Sequence, residues 1–82
     1  MRASWPCPCC GYLTLNQPAM YELCPVCFWE DDPHQAADAA SSDGANGLSL
    51  MEARSNYLET GAMSLEFLTK VRAPAADEVP ER

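Results

Sequence analysis

The chain has 82 residues and little positive charge: five Lys and Arg stand against twelve Asp and Glu, with a single His, for a net charge of −7. Phosphate backbones are held by Lys and Arg, so this balance argues against DNA or RNA as a partner. It argues equally against anionic membrane surfaces. No stretch approaches the ~20 apolar residues that span a bilayer, and the first ten residues lack the apolar core of a secretory signal. The expected compartment is the cytoplasm. His34 lies in an acidic segment, and Glu30, Asp31 and Asp32 have no identifiable basic partner. No nucleophile, base or open metal site can be assembled from them, and the chain is not expected to be an enzyme. A chain this short makes one domain, near the size at which a hydrophobic core alone stops sufficing and a metal is a common supplement.

Cysteine, by contrast, is plentiful. Of five, four form Cys7-Pro8-Cys9-Cys10 and Cys24-Pro25-Val26-Cys27, counting the outer residues of each run, with thirteen residues between the pairs. A tight turn can aim both sulfurs of a C-x-x-C at one point. Two such turns facing each other make a tetrahedral thiolate cage, the usual setting of structural zinc. Cys7, Cys10, Cys24 and Cys27 are therefore the expected metal ligands, and Zn2+ the expected ion. Four thiolates suit iron as well, so a rubredoxin-like iron electron carrier is the alternative. Cys9 sits between two ligands in its turn and is not expected to bind the metal. Its thiol is either reactive or a surface bystander.

The rest of the chain predicts a small α+β fold: a metal-bound β-hairpin of zinc-ribbon layout followed by one or two α-helices. Residues 1–72 make the domain and 73–82 a flexible C-terminal tail. Met1–Pro6 is a lead-in whose Trp5 can cover one side of the site. Gly11–Leu15 reads as a strand, with Leu13 and Leu15 on one face and Tyr12 and Thr14 on the other. A turn at 16–19 returns it to a second strand over Met20–Leu23. Asp32 caps a short helix over Pro33–Ala40, with Pro33 first and Gln35 in the capping-box position. After a Gly-rich loop, Ser49 and Glu52 form a capping box for a helix over Leu50–Thr60 that ends at Gly61. Its inward face is Leu50, Ala53, Tyr57 and Leu58. Ser64–Arg72 reads as a second helix with Leu65, Leu68 and Val71 inward, Phe67 nearby and Pro74 as its stop.

Phe28-Trp29 follow the second cysteine pair, where two large aromatics usually serve as lid and miniature core of the site. The sharper reading takes them with Glu30-Asp31-Asp32 as an apolar anchor beside a polar rim. These five residues are the expected partner-binding surface, with the exposed side of helix Leu50–Thr60 as a second contact. A basic protein is the expected partner, because the chain is so acidic.

The stretches CPCCGYLTL at 7–15, CPVCFWEDD at 24–32 and GANGLSLMEARSNYLETGA at 44–62 resemble the small bacterial Cys-rich proteins named for their CPCC motif. The resemblance covers roughly half the chain. It implies a small metal-binding bacterial domain and, by analogy, a toxin-immunity or other partner-binding role. The cysteine turns also resemble those of rubredoxin-like ribbons. Gly11 follows the first pair as it does there, but Phe28 stands where the second Gly would be, which weakens the electron-transfer alternative.

Overall fold

The computed structural model describes residues 5–80; the rest of the lead-in and the end of the tail lie outside the described residues. A two-residue strand β1 (Trp5–Pro6) pairs antiparallel with β2 (Leu13–Leu15), Trp5 opposite Leu15 and Pro6 opposite Leu13. Helix α1 (Pro33–Ala37), helix α2 (Leu50–Thr60) and two 3-10 segments, Leu65–Lys70 and Ala76–Glu78, complete the chain. The molecule is thus a small α+β unit whose one sheet among the described residues is the two-stranded β1–β2 pair. No helix among the described residues is long and apolar enough to cross a membrane.

The hairpin differs from the one the sequence predicts. Gly11–Leu15 does not pair with Met20–Leu23. Each Cys pair instead sits in the turn of its own hairpin: β1 and β2 flank Cys7–Cys10, and an isolated antiparallel bridge between Leu23 and Glu30 flanks Cys24–Cys27. The reason lies in the turns. Cys7 donates its N–H to the Tyr12 carbonyl and Cys24 donates to the Trp29 carbonyl, both at 2.9 Å, which folds each chain back on itself immediately after the cysteines.

Ser49 and Glu52 form the expected reciprocal cap of α2, and Gly61 closes that helix in the left-handed conformation at φ 95°. Leu50 and Ala53 are buried and Tyr57 is half-buried, but Leu58 is 85% exposed. It stands one residue, about 100°, around the helix from Tyr57, outside the narrow inward stripe. The helix predicted over Ser64–Arg72 is a 3-10 segment, Leu65–Lys70. Three residues per turn put Leu65 and Leu68 on one face, and that face is exposed. Phe67 turns inward instead and stacks on Phe28, with ring centroids 4.4 Å apart. Within the predicted tail, Ala76–Glu78 make a 3-10 turn, and Arg72 holds Glu78 through two guanidinium N–H bonds at 2.8 and 2.9 Å.

α1 begins as predicted, with Asp32 as cap accepting the His34 N–H and Pro33 at its start, but it stops at Ala37. Gln35 does not complete a capping box. Its side chain is fully buried and donates to the Ser41 and Leu48 carbonyls while accepting the N–H groups of Asn46, main chain and side chain. Asn46 in turn bonds both the N–H and the carbonyl of Glu30, each at 2.8 Å, as a neighbouring strand would. These bonds lock the 41–48 loop onto the second hairpin. Gly44 closes the lock: its φ is 148°, and an added Cβ would stand 2.5 Å from Asp32 Oδ2 and 2.8 Å from Gln35 Cγ. Neither neighbour can yield without breaking its own hydrogen bonds. Gly44→Ala is expected to destabilise the protein by about 2–3 kcal/mol, read as a lower urea midpoint at unchanged metal content. An unshifted midpoint would show that the loop is not held this way.

Candidate metal centre

The two cysteine turns are copies of one another. In each, the carbonyl of the first Cys accepts an N–H from the residue after the second Cys: Gly11 to Cys7 and Phe28 to Cys24, both at 2.8 Å. That residue must turn back with positive φ, 83° at Gly11 and 75° at Phe28. The left-handed region suits Gly and strains a bulky side chain. Phe28 nevertheless adopts the glycine conformation, held there by its stack on Phe67. Its identity therefore does not distort the second turn.

The turns bring Cys7, Cys10, Cys24 and Cys27 together with all four sulfurs within 4.8 Å of one another. Cys7 Sγ lies 3.5 Å from Cys27 Sγ, and Cys10 Sγ lies 3.7 Å from Cys24 Sγ. A tetrahedral ion with metal–sulfur bonds of ~2.3 Å separates its ligand sulfurs by about 3.8 Å. The four thiols thus fit such an ion, and they form a site able to hold one. Cys7, Cys24 and Cys27 are buried, and Cys10 is half-buried. All five cysteines are free thiols.

Packed this closely, four sulfurs do not ionise independently. The Cys24 thiol is pushed down, first by the hydrogen bond from Cys10 and then by those from Cys27 and Cys7. Cys10 is held up chiefly by donating to Cys24, and Cys7 chiefly through Cys10. At Cys27 an opposing contribution from Cys10 is outweighed by Cys24, Cys7 and Cys9. A cation removes this competition by stabilising every thiolate at once, so binding it releases protons.

Neighbouring residues steady the sulfurs. Thr14 Oγ1 lies 3.0 Å from Cys24 Sγ, and the Val26 N–H points at the same sulfur from 3.4 Å. Arg54 of α2 donates its Nε–H to the Pro8 carbonyl at 2.8 Å, and the Arg72 main chain donates to the Pro25 carbonyl at 3.1 Å. Met63 donates to the Cys27 carbonyl at 2.8 Å, so the chain leaving α2 seals the second turn. Tyr57 stands edge-on to Tyr12, and its phenol is pushed up to about 12, first by burial and then by the charge on Cys10. Thr14 carries no sequence signal beyond its place in an alternating strand, and Arg54 reaches its target across 46 residues of sequence.

Cys9 is 8% exposed, packed in the core beside the four thiols and outside their cluster. It is thus neither a ligand in this arrangement nor the surface bystander the sequence suggests. Cys9→Ala is expected to retain one metal ion per chain with a stability loss of about 1 kcal/mol from the vacated volume. Elemental analysis showing half the metal or less would mean that Cys9 is a ligand.

The predicted partner surface is corrected by burial. Trp29 is fully buried, and Asp31 and Asp32 are 3% and 4% exposed. Both carboxylates are used internally. Asp31 accepts the Ala19 N–H at 2.6 Å, and Asp32 accepts those of Ala45 and His34. These bonds, that of Ala45 first, hold the Asp32 carboxyl below the usual carboxylate range. Phe28 is committed to Phe67, which leaves Glu30, half-exposed, as the one acid of the five-residue run that faces water. Acids are seldom buried, so the sequence places them in a rim; here the loop amides that bond them supply the compensation.

No curated protein matches the chain. The model of the family described as cysteine-rich CPCC matches residues 5–78, which takes in both cysteine turns, the locking loop and α2, and the chain belongs to that family.

Proposed function

We propose that the protein is a non-catalytic, zinc-stabilised module that binds a basic protein. The observation that carries this reading is the set of four thiols at tetrahedral spacing. Four protein sulfurs complete the coordination of zinc and leave no position for water or substrate, as in structural rather than catalytic sites. The ion then holds the fold, and function passes to the surface. That surface is acidic: between Trp5 and Ala53 the sequence contains no Lys or Arg. Zinc with four thiolates adds two further negative charges. An immunity-type role, in which the module covers the nucleic-acid-binding face of a basic toxin, matches this charge. Purification without chelators is expected to yield one zinc per chain by elemental analysis. A colourless preparation with less than half that amount, folded and stable in chelator, would overturn the reading.

One observation favours the rubredoxin-like iron carrier as a second reading. Phe28 takes the conformation of the glycine it replaces, so both turns have the geometry such a centre uses. Iron in four thiolates absorbs visible light and zinc does not, so a coloured protein with a reversible one-electron couple would establish this alternative.

A further inference from the structure

Within the second hairpin, strain is spent on presenting apolar side chains to water. Ala19 and Tyr21 both have left-handed backbone, at φ 58° and 60°. That region disfavours residues with a Cβ, and such strain persists only where surrounding bonds enforce it. Here buried Asp31 enforces it: its carboxylate takes the Ala19 N–H, and its carbonyl takes the Tyr21 N–H at 3.0 Å. The side chains so placed are not packed inside. Met20 is 56% exposed, Tyr21 55% and Leu23 49%. Isolated exposed apolar residues need no explanation, but three within four positions, held by a strained loop, do.

The backbone beside them is also open. Leu23 faces Glu30, and the hydrogen bonds that define this bridge belong to the flanking residues, Asp31 to Glu22 and Cys24 to Trp29. In such a non-hydrogen-bonded antiparallel pair, the N–H and C=O of both members point away from the partner strand. On the Glu30 side those two groups are taken by Asn46. On the Leu23 side nothing among the described residues takes them. The hairpin therefore has one edge closed by an amide that imitates a strand and one edge open. The side chain of Glu30 shares the face of Leu23, as cross-strand partners do.

We infer that the open edge at Leu23, with Met20 and Tyr21 beside it, receives an extended, basic segment of a protein partner. Its main chain bonds the N–H and C=O of Leu23, its apolar residues cover Met20, Tyr21 and Leu23, and its Lys or Arg residues face Glu30. Strand addition of this kind draws affinity from main-chain bonds and specificity from alternate side chains. Charge selects the occupant. The hairpins carry no Lys or Arg of their own between Trp5 and Ala53, so a basic strand is attracted and a second copy of this acidic chain is repelled. The exposed face of α2, with Met51 and Leu58, offers apolar area without free main-chain groups and is the competing surface.

This inference rests on the proposed binding of a basic protein, and one titration separates the two. Zinc-loaded, nitrogen-15-labelled full-length protein is titrated with short peptides alternating Lys with Val and with the same peptides carrying Glu for Lys. The Lys peptides are expected to bind, to shift the amide signals of 20–23 and to slow hydrogen exchange at the Leu23 amide. Tyr21→Asn with Leu23→Thr is expected to weaken them about tenfold or more at full zinc content, Asn being chosen because it tolerates the left-handed backbone. Met51→Gln with Leu58→Gln is expected to leave binding unchanged. Shifts on α2 and loss of binding in the Met51/Leu58 variant would overturn the edge while sparing the basic-partner reading. Equal binding of Lys and Glu peptides, or binding of neither, would overturn both. A Leu23 amide already protected in the free monomer would show that the chain covers its own edge. A dimer abolished by the Tyr21/Leu23 variant would name a second copy as occupant. Either result overturns the inference.

Discussion

Cys24→Ser is expected to unfold the two cysteine hairpins, with loss of bound zinc and of the cooperative thermal transition. Structural zinc in small peptides contributes ~10–16 kcal/mol of apparent binding energy at neutral pH. Whole domains are stable by only ~5–15 kcal/mol, so a zinc ion held by these four sulfurs would supply most of what keeps 82 residues folded. Cys24 is the most consequential of the four clustered cysteines to alter. Its sulfur is fully buried, meets Cys10 at 3.7 Å and receives both Thr14 Oγ1 and the Val26 N–H. A serine oxygen is harder, sits closer to its Cβ and meets those groups at the wrong distance. Cys10→Ser is expected to be milder, because Cys10 is half-exposed and water can approach its place. A strong chelator should reproduce the Cys24→Ser spectrum in the native protein. Circular dichroism and elemental analysis on the same samples decide the matter: Cys24→Ser protein with full zinc and an unchanged melting temperature would remove the metal from its structural role.

The metal cluster was legible because its signal is local and chemical. C-x-x-C spacing fixes which two sulfurs of a turn converge, whatever the rest of the chain does. The cap and stop of α2 were legible for the same reason: Ser49, Glu52 and Gly61 act within one turn of the helix ends. Strand pairing was not. The alternation of Leu13 and Leu15 marks a strand without naming its partner, and the partner turned out to be Trp5–Pro6 rather than Met20–Leu23. Side-chain direction follows helix type, which the spacing of Leu65 and Leu68 does not specify: on a 3-10 segment both face water. The burial of Asp31 and Asp32 had no sequence signal, because it depends on amides of Ala19 and Ala45, twelve and thirteen residues away.

Trp29→Ala is expected to be the most damaging change outside the ligands. Trp29 is the largest fully buried side chain, and its carbonyl closes the second cysteine turn by accepting the Cys24 N–H at 2.9 Å. Emptying such a site removes the apolar contact and leaves a void, at about 3–5 kcal/mol for Trp→Ala. The loss acts on the turn that carries two ligands, so weaker zinc retention should accompany it. Trp29→Phe separates volume from chemistry. The indole Nε1–H is buried without a hydrogen-bond partner among the described residues. An unsatisfied buried donor costs about 1–3 kcal/mol, which the phenyl ring does not incur. This relief offsets much of the area lost, and Trp29→Phe is expected to lie within about 1–2 kcal/mol of the native protein. Urea titrations at saturating zinc, with midpoints compared across the three proteins, measure both differences. Tryptophan emission assigns them to the site: Trp5 is 46% exposed, so the blue-shifted component belongs to Trp29 and should vanish in both variants. Equal midpoints for Trp29→Ala and Trp29→Phe would show that the indole packs less tightly than its burial indicates. A Trp29→Phe protein as unstable as a ligand variant would show that Nε1 has a partner in solution.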